Sequence, residues 1–127
     1  MTGGSKRTKL VVLGLDGVPF AMLSGMAENG VMPNLKGLLA TGRMVPMTAS
    51  LPEISSVSWS SLMTGTDAGS HGIFGFLDLD RETYEYRFPN FTDLAAPPFF
   101  ADPRLPGRRH VVVNLPSTYP ARPIDGA

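Results

Sequence analysis

Two places in this sequence carry side chains that could do chemistry. Asp16 ends the apolar run over residues 10–15 and is followed by Gly17, an arrangement common for a carboxylate that binds a metal ion. Ser55 and Ser56 come just before an apolar stretch, where a helix would begin. The backbone N–H groups and the positive dipole end of such a helix favour a phosphoryl anion, and a metal or a base would activate the serine hydroxyl.

Each of these residues also has a purely structural interpretation, and the residue types leave both open. Asp16 could cap the next helix, and Ser55 or Ser56 could be an ordinary N-cap residue. His71 lies in a glycine-rich loop, where a lone histidine is more often a structural hydrogen-bonding group than a metal ligand. His110 begins an apolar run and is interpreted as a surface residue.

The elements that would position Asp16 and Ser55 follow from the hydrophobic pattern. The run over residues 10–15 predicts a strand buried on both faces, as in a mostly parallel sheet, whose carboxyl edge is where ligands bind. A second buried strand is expected over 110–115, and a short irregular one over 43–50. The remaining pattern predicts helices over 20–28, 33–40 and from 55 or 56 to 64, a hairpin within 76–88, and loops over 70–76 and 91–107.

Some helical residues are expected to face the core because of their spacing. The first helix would bury Phe20, Leu23 and Ala27, and the third would bury Val57, Leu62 and Met63. No helix follows the strand over 110–115 to cover the sheet. Because two or three strands bury too little surface to be stable alone, the sequence is interpreted as the first part of a larger α/β domain.

Composition excludes several functional classes. The 127 residues suffice for one modest domain, here 9–127 after a disordered lead-in at 1–8. Eleven basic and eleven acidic residues give no net charge, so neither nucleic-acid nor membrane-surface binding is expected. Cysteine is absent, which excludes disulfides and fits a reducing compartment, and the first apolar run is too short to span a membrane. We therefore expect a soluble, cytoplasmic protein.

Two phosphate-binding families can be excluded at the first turn. Residues 14–19 (GLDGVP) lack the G-x-G-x-x-G fingerprint of a dinucleotide-binding domain. A haloacid-dehalogenase-like phosphatase would need a nucleophilic aspartate where Gly14 stands.

A family resemblance emerges from four motifs taken in order. They are residues 13–17 (LGLDG), 32–35 (MPNL), 55–65 (SSVSWSSLMTG) and 70–73 (SHGI). Together they resemble the amino-terminal part of the alkaline-phosphatase superfamily, specifically type I phosphodiesterase/nucleotide pyrophosphatase-like proteins. The ending at 113–120 (VNLPSTYP) is similar to a branch of predicted phosphohydrolases or phosphomutases, and the resemblance covers about residues 9–125.

The resemblance implies a fold and a mechanism. The fold would be α/β, the amino-terminal part of an alkaline-phosphatase-like mostly parallel sheet with flanking helices, incomplete in this chain. Two divalent metal ions, usually Zn²⁺ with Mn²⁺ as an alternative, would lie at the carboxyl edge of that sheet. Asp16 matches the first metal-binding aspartate, and Ser55, nine positions before Thr64, matches the nucleophile and would also be a metal ligand. The substrate would be a small-molecule phosphate ester, attacked in line by Ser55 to give a phospho-enzyme intermediate.

The sequence departs from the family pattern in two respects. Phe76 stands where nucleotide pyrophosphatases carry a phosphate-contacting asparagine, which disfavours nucleotide diesters as substrates. The other metal ligands of the family, several Asp and His residues, lie beyond this segment, and His71 matches a histidine that is not a ligand. The chain alone is therefore expected to be inactive. A second hypothesis is a non-catalytic α/β module that binds an anion or a protein partner at the start of the helix containing Ser55. The oligomeric state stays open.

Overall fold

The computed structural model describes residues 9–102, 104 and 107–127. The lead-in predicted over residues 1–8 lies outside the described residues. The chain divides into two compact units, Met1–Pro46 (unit 1) and Met47–Ala127 (unit 2), and each is described by itself.

Unit 1 contains two helices that contact each other, α1 over Phe20–Glu28 and α2 over Pro33–Leu39. Their bounds follow the prediction to within one residue because the signals are local. Helix α1 stops at Asn29 and at Gly30, which has a left-handed φ of 75°, and Pro33 is the first residue of α2. Of the predicted inner face of α1, Ala27 is buried, whereas Phe20 is exposed.

The predicted buried strand over residues 10–15 is not formed in the part of the chain that the structure describes. The run has no regular structure, and Leu10, Val11 and Leu13 are 82%, 87% and 82% exposed. A strand is stabilised by hydrogen bonds to a neighbouring strand and by burial of its faces. None of the described strands pairs with this run, so it has neither the inter-strand hydrogen bonds nor the burial that would stabilise a strand. The short strand predicted over 43–50 is likewise not formed.

Unit 2 begins with α3 over Ser55–Thr64 and α4 over Ala68–His71, which contact each other. Helix α3 ends at Gly65, whose φ is 68° and whose amide donates to the carbonyl oxygen of Ser61 at 2.8 Å. Val57 and Met63 are fully buried as expected, but Leu62 is nearly half exposed. Helix α4 was predicted as part of a loop; it forms because the Asp67 carboxylate accepts the Ser70 amide.

A hairpin follows as predicted, with shorter strands than the pattern indicates. Strands β1 over Asp78–Leu79 and β2 over Tyr86–Arg87 pair antiparallel, with Asp78 opposite Arg87. Within the segment predicted as a loop over 91–107, the described residues include two 3₁₀ helices, over Phe91–Asp93 and Phe99–Ala101.

The second predicted strand, over 110–115, forms only an isolated parallel bridge between His110 and Gly126. Val111 and Val113 are exposed and Val112 is partly buried, so the run is buried on one face rather than two. Across the described residues the architecture is four helices and a two-stranded antiparallel sheet, and the expected parallel sheet is not present.

The core of unit 2 holds α3 in place. Met63 near the end of α3 packs with Phe91 and Phe100, and partly buried apolar residues surround them: Leu94, Val112, Leu115 and Ile124. None of the helices in the described ranges is long and apolar enough to cross a membrane.

Candidate functional site

Ser55 is the first residue of α3 rather than its N-cap. The cap is Ile54, which is extended, with φ −124° and ψ 137°. Its amide donates to the carbonyl oxygen of Pro52, and its own carbonyl accepts the Ser58 amide, both at 2.9 Å. The prediction that Ser55 or Ser56 caps the helix is therefore wrong by one residue, because the preceding turn already places Ile54 at the start of the helical hydrogen-bond series.

This start gives α3 the character of an anion-binding terminus. Ile54 has no polar side chain, so the N-cap side chain does not accept a bond from the first-turn amides. The helix dipole places partial positive charge at the same point. Ser55 is half-buried here, whereas Ser56, the other candidate nucleophile, is buried. Of the two serines, Ser55 is the one that an external phosphate ester can reach more readily.

His71, the last residue of α4, is fully buried, and both of its ring nitrogens form hydrogen bonds. The Ile73 amide donates to Nδ1 at 3.1 Å, so the ring proton lies on Nε2. Nε2 then donates to the Ser61 hydroxyl oxygen, 3.0 Å away. Burial lowers the pKa of His71, and the nearby Asp67 carboxylate offsets part of that effect. The neutral ring joins α3 to α4, in keeping with the structural role expected for it.

Asp16 lies in unit 1, in an exposed turn with Gly17, whose φ is 66°. The turn directly follows the apolar run over 10–15, as the sequence indicates, although that run is not a strand. Asp16 belongs to unit 1 and Ser55 to unit 2.

The residues that the structure describes do not make up a metal centre on their own. Among them there is no group of three or more His, Asp or Glu side chains that could hold a metal ion. The two-metal site implied by the resemblance is therefore not formed by the described part of this chain.

The acidic residues of the hairpin have structural partners. Asp78 forms an ion pair of 2.6 Å with Arg87, and one Asp80 oxygen accepts the amides of Glu82 and Thr83 at 2.9 Å. These amide bonds lower the pKa of Asp80. Both aspartates therefore stabilise the hairpin.

Sequence reasoning missed the roles of Ser60 and Ser61. Ser61 bonds His71, and Ser60 is fully buried with Ser56 one turn earlier on the same face of α3. The spacing of four residues between Ser56 and Ser60 was a usable signal. The helix contains other serines as well, so the pair Ser56 and Ser60 does not stand out in the sequence as a separate polar face.

Comparison with known proteins gives one family assignment. No curated protein and no solved structure matches the chain. Residues 10–123 match the sequence model described as type I phosphodiesterase / nucleotide pyrophosphatase. This range contains Asp16, Ser55 and His71, and it spans most of the 127 residues. The chain therefore belongs to the type I phosphodiesterase / nucleotide pyrophosphatase family.

Proposed function

We propose that this chain supplies the nucleophile and the first metal-binding aspartate of a phosphoric-ester hydrolase. The observation that carries the proposal is the family match over residues 10–123, a range that contains Ser55, whose motif spacing resembles that of the family nucleophile. The position of Ser55 at the start of α3, behind an N-cap without a polar side chain, supports the same role. The substrate is a small-molecule phosphate ester.

In the proposed reaction, the Ser55 hydroxyl oxygen attacks phosphorus in line with the departing ester oxygen. The serine O–H proton passes to solvent water as the new O–P bond forms. The bond from phosphorus to the ester oxygen breaks, and this oxygen takes up a proton from water to leave as the alcohol. The backbone N–H groups of the first turn of α3 would bind the phosphoryl oxygens, where negative charge accumulates. Water then cleaves the serine phosphate and regenerates the hydroxyl.

Asp16 and Ser55 are also the residues that we propose as metal ligands, with Zn²⁺ or Mn²⁺ as the ion. A carboxylate and a serine oxygen suit these ions. Two ligands in separate units of the chain do not by themselves form a metal centre. The proposal therefore assigns the remaining ligands to residues outside this sequence.

The proposal extends to the fold. Residues 9–127 would be the amino-terminal part of an alkaline-phosphatase-like catalytic domain, with the runs over 10–15 and 110–115 as strands of its parallel sheet. The exposure of Val11, Leu13, Val111 and Val113 supports this, because an apolar run of this kind normally lies within a sheet. The absence of cysteine supports a cytoplasmic location.

The test is hydrolysis of bis-p-nitrophenyl phosphate and p-nitrophenyl phosphate by the protein translated from the complete reading frame that contains this sequence, with Zn²⁺ or Mn²⁺ added. Ser55→Ala and Asp16→Asn should each lower turnover by on the order of 10³-fold or more. Ser55→Thr should keep measurable turnover because threonine carries the same hydroxyl.

Ser24→Ala is the matched control, since the Ser24 hydroxyl donates to Glu28 one turn later on the surface of α1. It should leave turnover unchanged. A protein that hydrolyses neither ester, or one in which Ser55→Ala is as active as the parent, would contradict the proposal and favour a non-catalytic binding module.

A further inference from the structure

A cavity of about 90 Å³ lies beside α3 in unit 2. The lining residues from the helix are polar, and those from the loops around the hairpin are mainly apolar. The residues that matter for its chemistry are Ser56, Ser60, Phe76, Phe88, Asn90 and Ser117. Phe76 and Phe88 are 60% and 76% exposed, so this side of the cavity faces solvent.

The two helix hydroxyls in the cavity have no hydrogen-bond partner among the described residues. Ser60 is 0% exposed and Ser56 is 6% exposed, and the Oγ atoms of both are unpaired. A buried hydroxyl without a partner is costly, and buried polar atoms in native proteins are nearly always paired. Both residues line the same cavity, so a single group held there could pair with both hydroxyls.

The spacing of the two serines limits the shape of that group. Residues four apart on a helix have Cβ atoms about 5–6 Å apart and face the same side. A ligand with two oxygen atoms on neighbouring carbon atoms can therefore form one hydrogen bond with the Ser56 hydroxyl and another with the Ser60 hydroxyl.

Charge and size limit it further. None of the described residues that line the cavity is charged, so an ionic ligand would be buried without a counter-ion. An apolar cavity of about 150 Å³ holds benzene, which has six carbon atoms, so about 90 Å³ suits roughly four non-hydrogen atoms. The rings of Phe76 and Phe88 offer apolar contact to the carbon atoms of such a ligand.

We propose that this cavity binds a small uncharged vicinal diol, whose two hydroxyl groups pair with the Oγ atoms of Ser56 and Ser60. The proposal is independent of phosphoric-ester hydrolysis, because it concerns hydroxyls that the proposed reaction does not use. It predicts selectivity for a diol over an alcohol of the same size.

The test is a titration of the ¹⁵N-labelled full chain with ethane-1,2-diol, followed by two-dimensional NMR. Propan-1-ol is the matched probe, since it also has four non-hydrogen atoms but only one hydroxyl. The amides of Ser56, Ser60, Ile73 and Gly75 should shift and saturate with ethane-1,2-diol, and binding of propan-1-ol should be at least about tenfold weaker. Shifts that never saturate would show a cavity that holds water only, and equal binding of both probes would show that the second hydroxyl is not recognised. Either result would overturn the proposal.

Variants give a second test of the same site. Ser60→Ala and Ser56→Ala should each weaken diol binding by about tenfold or more, because each removes one of the two pairing hydroxyls. Ser58→Ala, on the same helix but bonded to Ser50 at 2.8 Å, should bind as the parent does. Each variant is first checked for a dispersed spectrum. If one of the two cavity variants fails to fold, the other and the selectivity of the parent protein still decide the question. Unchanged diol binding by a folded Ser56→Ala or Ser60→Ala variant would overturn the assignment.

Discussion

At the scale of the residue, the protonation of His71 is tied to the packing of unit 2. Its Nδ1 atom accepts the Ile73 amide and its Nε2–H group donates to Ser61. A second proton would have to go to Nδ1, which would break the bond from Ile73 and place a charge on a fully buried ring. The native state therefore holds the neutral ring.

We predict that unit 2 loses stability as the pH falls from 7 to 5. The pKa of His71 is lowered in the folded protein, so below its ordinary value of 6.5 the unfolded state binds more protons. The stabilisation is complete above pH 6.5 and is lost as the pH falls towards the folded pKa. The slope is at most about 1.4 kcal/mol per pH unit for one proton. Urea unfolding followed by fluorescence of Trp59, the one tryptophan in the sequence, measures it.

His71→Asn is the control for this pH dependence. Asparagine does not titrate, and its side-chain oxygen can accept the Ile73 amide. The variant should be less stable than the parent at pH 7 and should show a flatter dependence between pH 7 and 5. The carboxylates with lowered pKa values, including Asp67, lose their contribution only at lower pH. An equal slope in parent and variant would contradict the assignment to His71.

At the scale of the element, the end of α3 depends on a single backbone conformation. Gly65 has a φ of 68°, and a Cβ built there would meet nothing within 4 Å. We predict that Gly65→Ala destabilises unit 2 by about 1–2 kcal/mol, because the cost comes from the left-handed backbone and not from a steric clash. Trp59 lies in the same helix, so its fluorescence during urea unfolding reports the change.

Gly69→Ala is the matched substitution within α4. Gly69 is helical, and an added Cβ would lie 3.4 Å from an Asp67 oxygen, an ordinary contact. Alanine should be neutral or stabilising there, since glycine in a helix interior is about 0.5–1 kcal/mol less favourable. Equal losses in the two variants would refute the conformational explanation.

The hairpin is joined to the following 3₁₀ helix by one arginine. Arg87 bonds Asp78 and Asp93, each at 2.6 Å, and Asp93 also accepts the Asn90 amide at 2.8 Å. Burial raises the pKa of Asp93, but the Asn90 amide and the Arg87 guanidinium outweigh it and keep the pKa below its usual value. Asp93 therefore supports two elements at once.

We predict that Asp93→Asn destabilises unit 2 by about 1 kcal/mol and that Asp78→Asn costs less. The side chain of Asp93 is 23% exposed and that of Asp78 is 48% exposed, so solvent screens the Asp78 pair more. Thermal unfolding at low and high salt measures the difference, and added salt should weaken the effect of Asp78→Asn more strongly. Equal losses in the two variants would contradict a joining role for Asp93.

The sequence predicts helices better than strands here, and the reason is physical. Pro33 and Gly65 mark helix ends through their own backbone preferences, so α2 and α3 fall close to the expected bounds. A strand depends on partners distant in sequence, and the runs over 10–15 and 110–115 do not pair as a sheet in the described residues. Ser55 is predicted from its motif spacing, but the cavity at Ser60 depends on loops that only the tertiary structure brings together.

At the scale of the whole molecule, each of the two units exposes apolar side chains to solvent. They lie in the run over 10–15 in unit 1 and at alternate residues of 110–115 in unit 2. Soluble monomers rarely expose contiguous apolar patches of more than a few hundred Å². This exposure is a property of the chain that can be measured without knowing its substrate.

We predict that the full chain binds the dye ANS under native conditions and that Val11→Lys with Leu13→Lys reduces the fluorescence at least about twofold. Because both side chains are more than four-fifths exposed, their replacement should leave the unfolding of unit 2 unchanged. Asn34→Lys with Thr41→Lys adds the same charge at exposed polar positions and should not reduce dye binding. Loss of unit 2 stability in the first double variant would show that the run is buried after all.

The core of unit 2 has a consequence for synthesis of the protein. Met63 packs in one cluster with residues as distant as Ile124, and the Phe91 amide donates to the Tyr119 carbonyl at 2.7 Å. Helices α1 and α2, by contrast, pair between neighbouring segments of chain. On a ribosome that adds roughly 5–20 residues per second, the α1–α2 pair can form as soon as residue 39 has emerged. The cluster around Met63 cannot form until residue 124 has emerged. For several seconds after their synthesis, α3 and its serines are therefore not yet buried by the rest of unit 2.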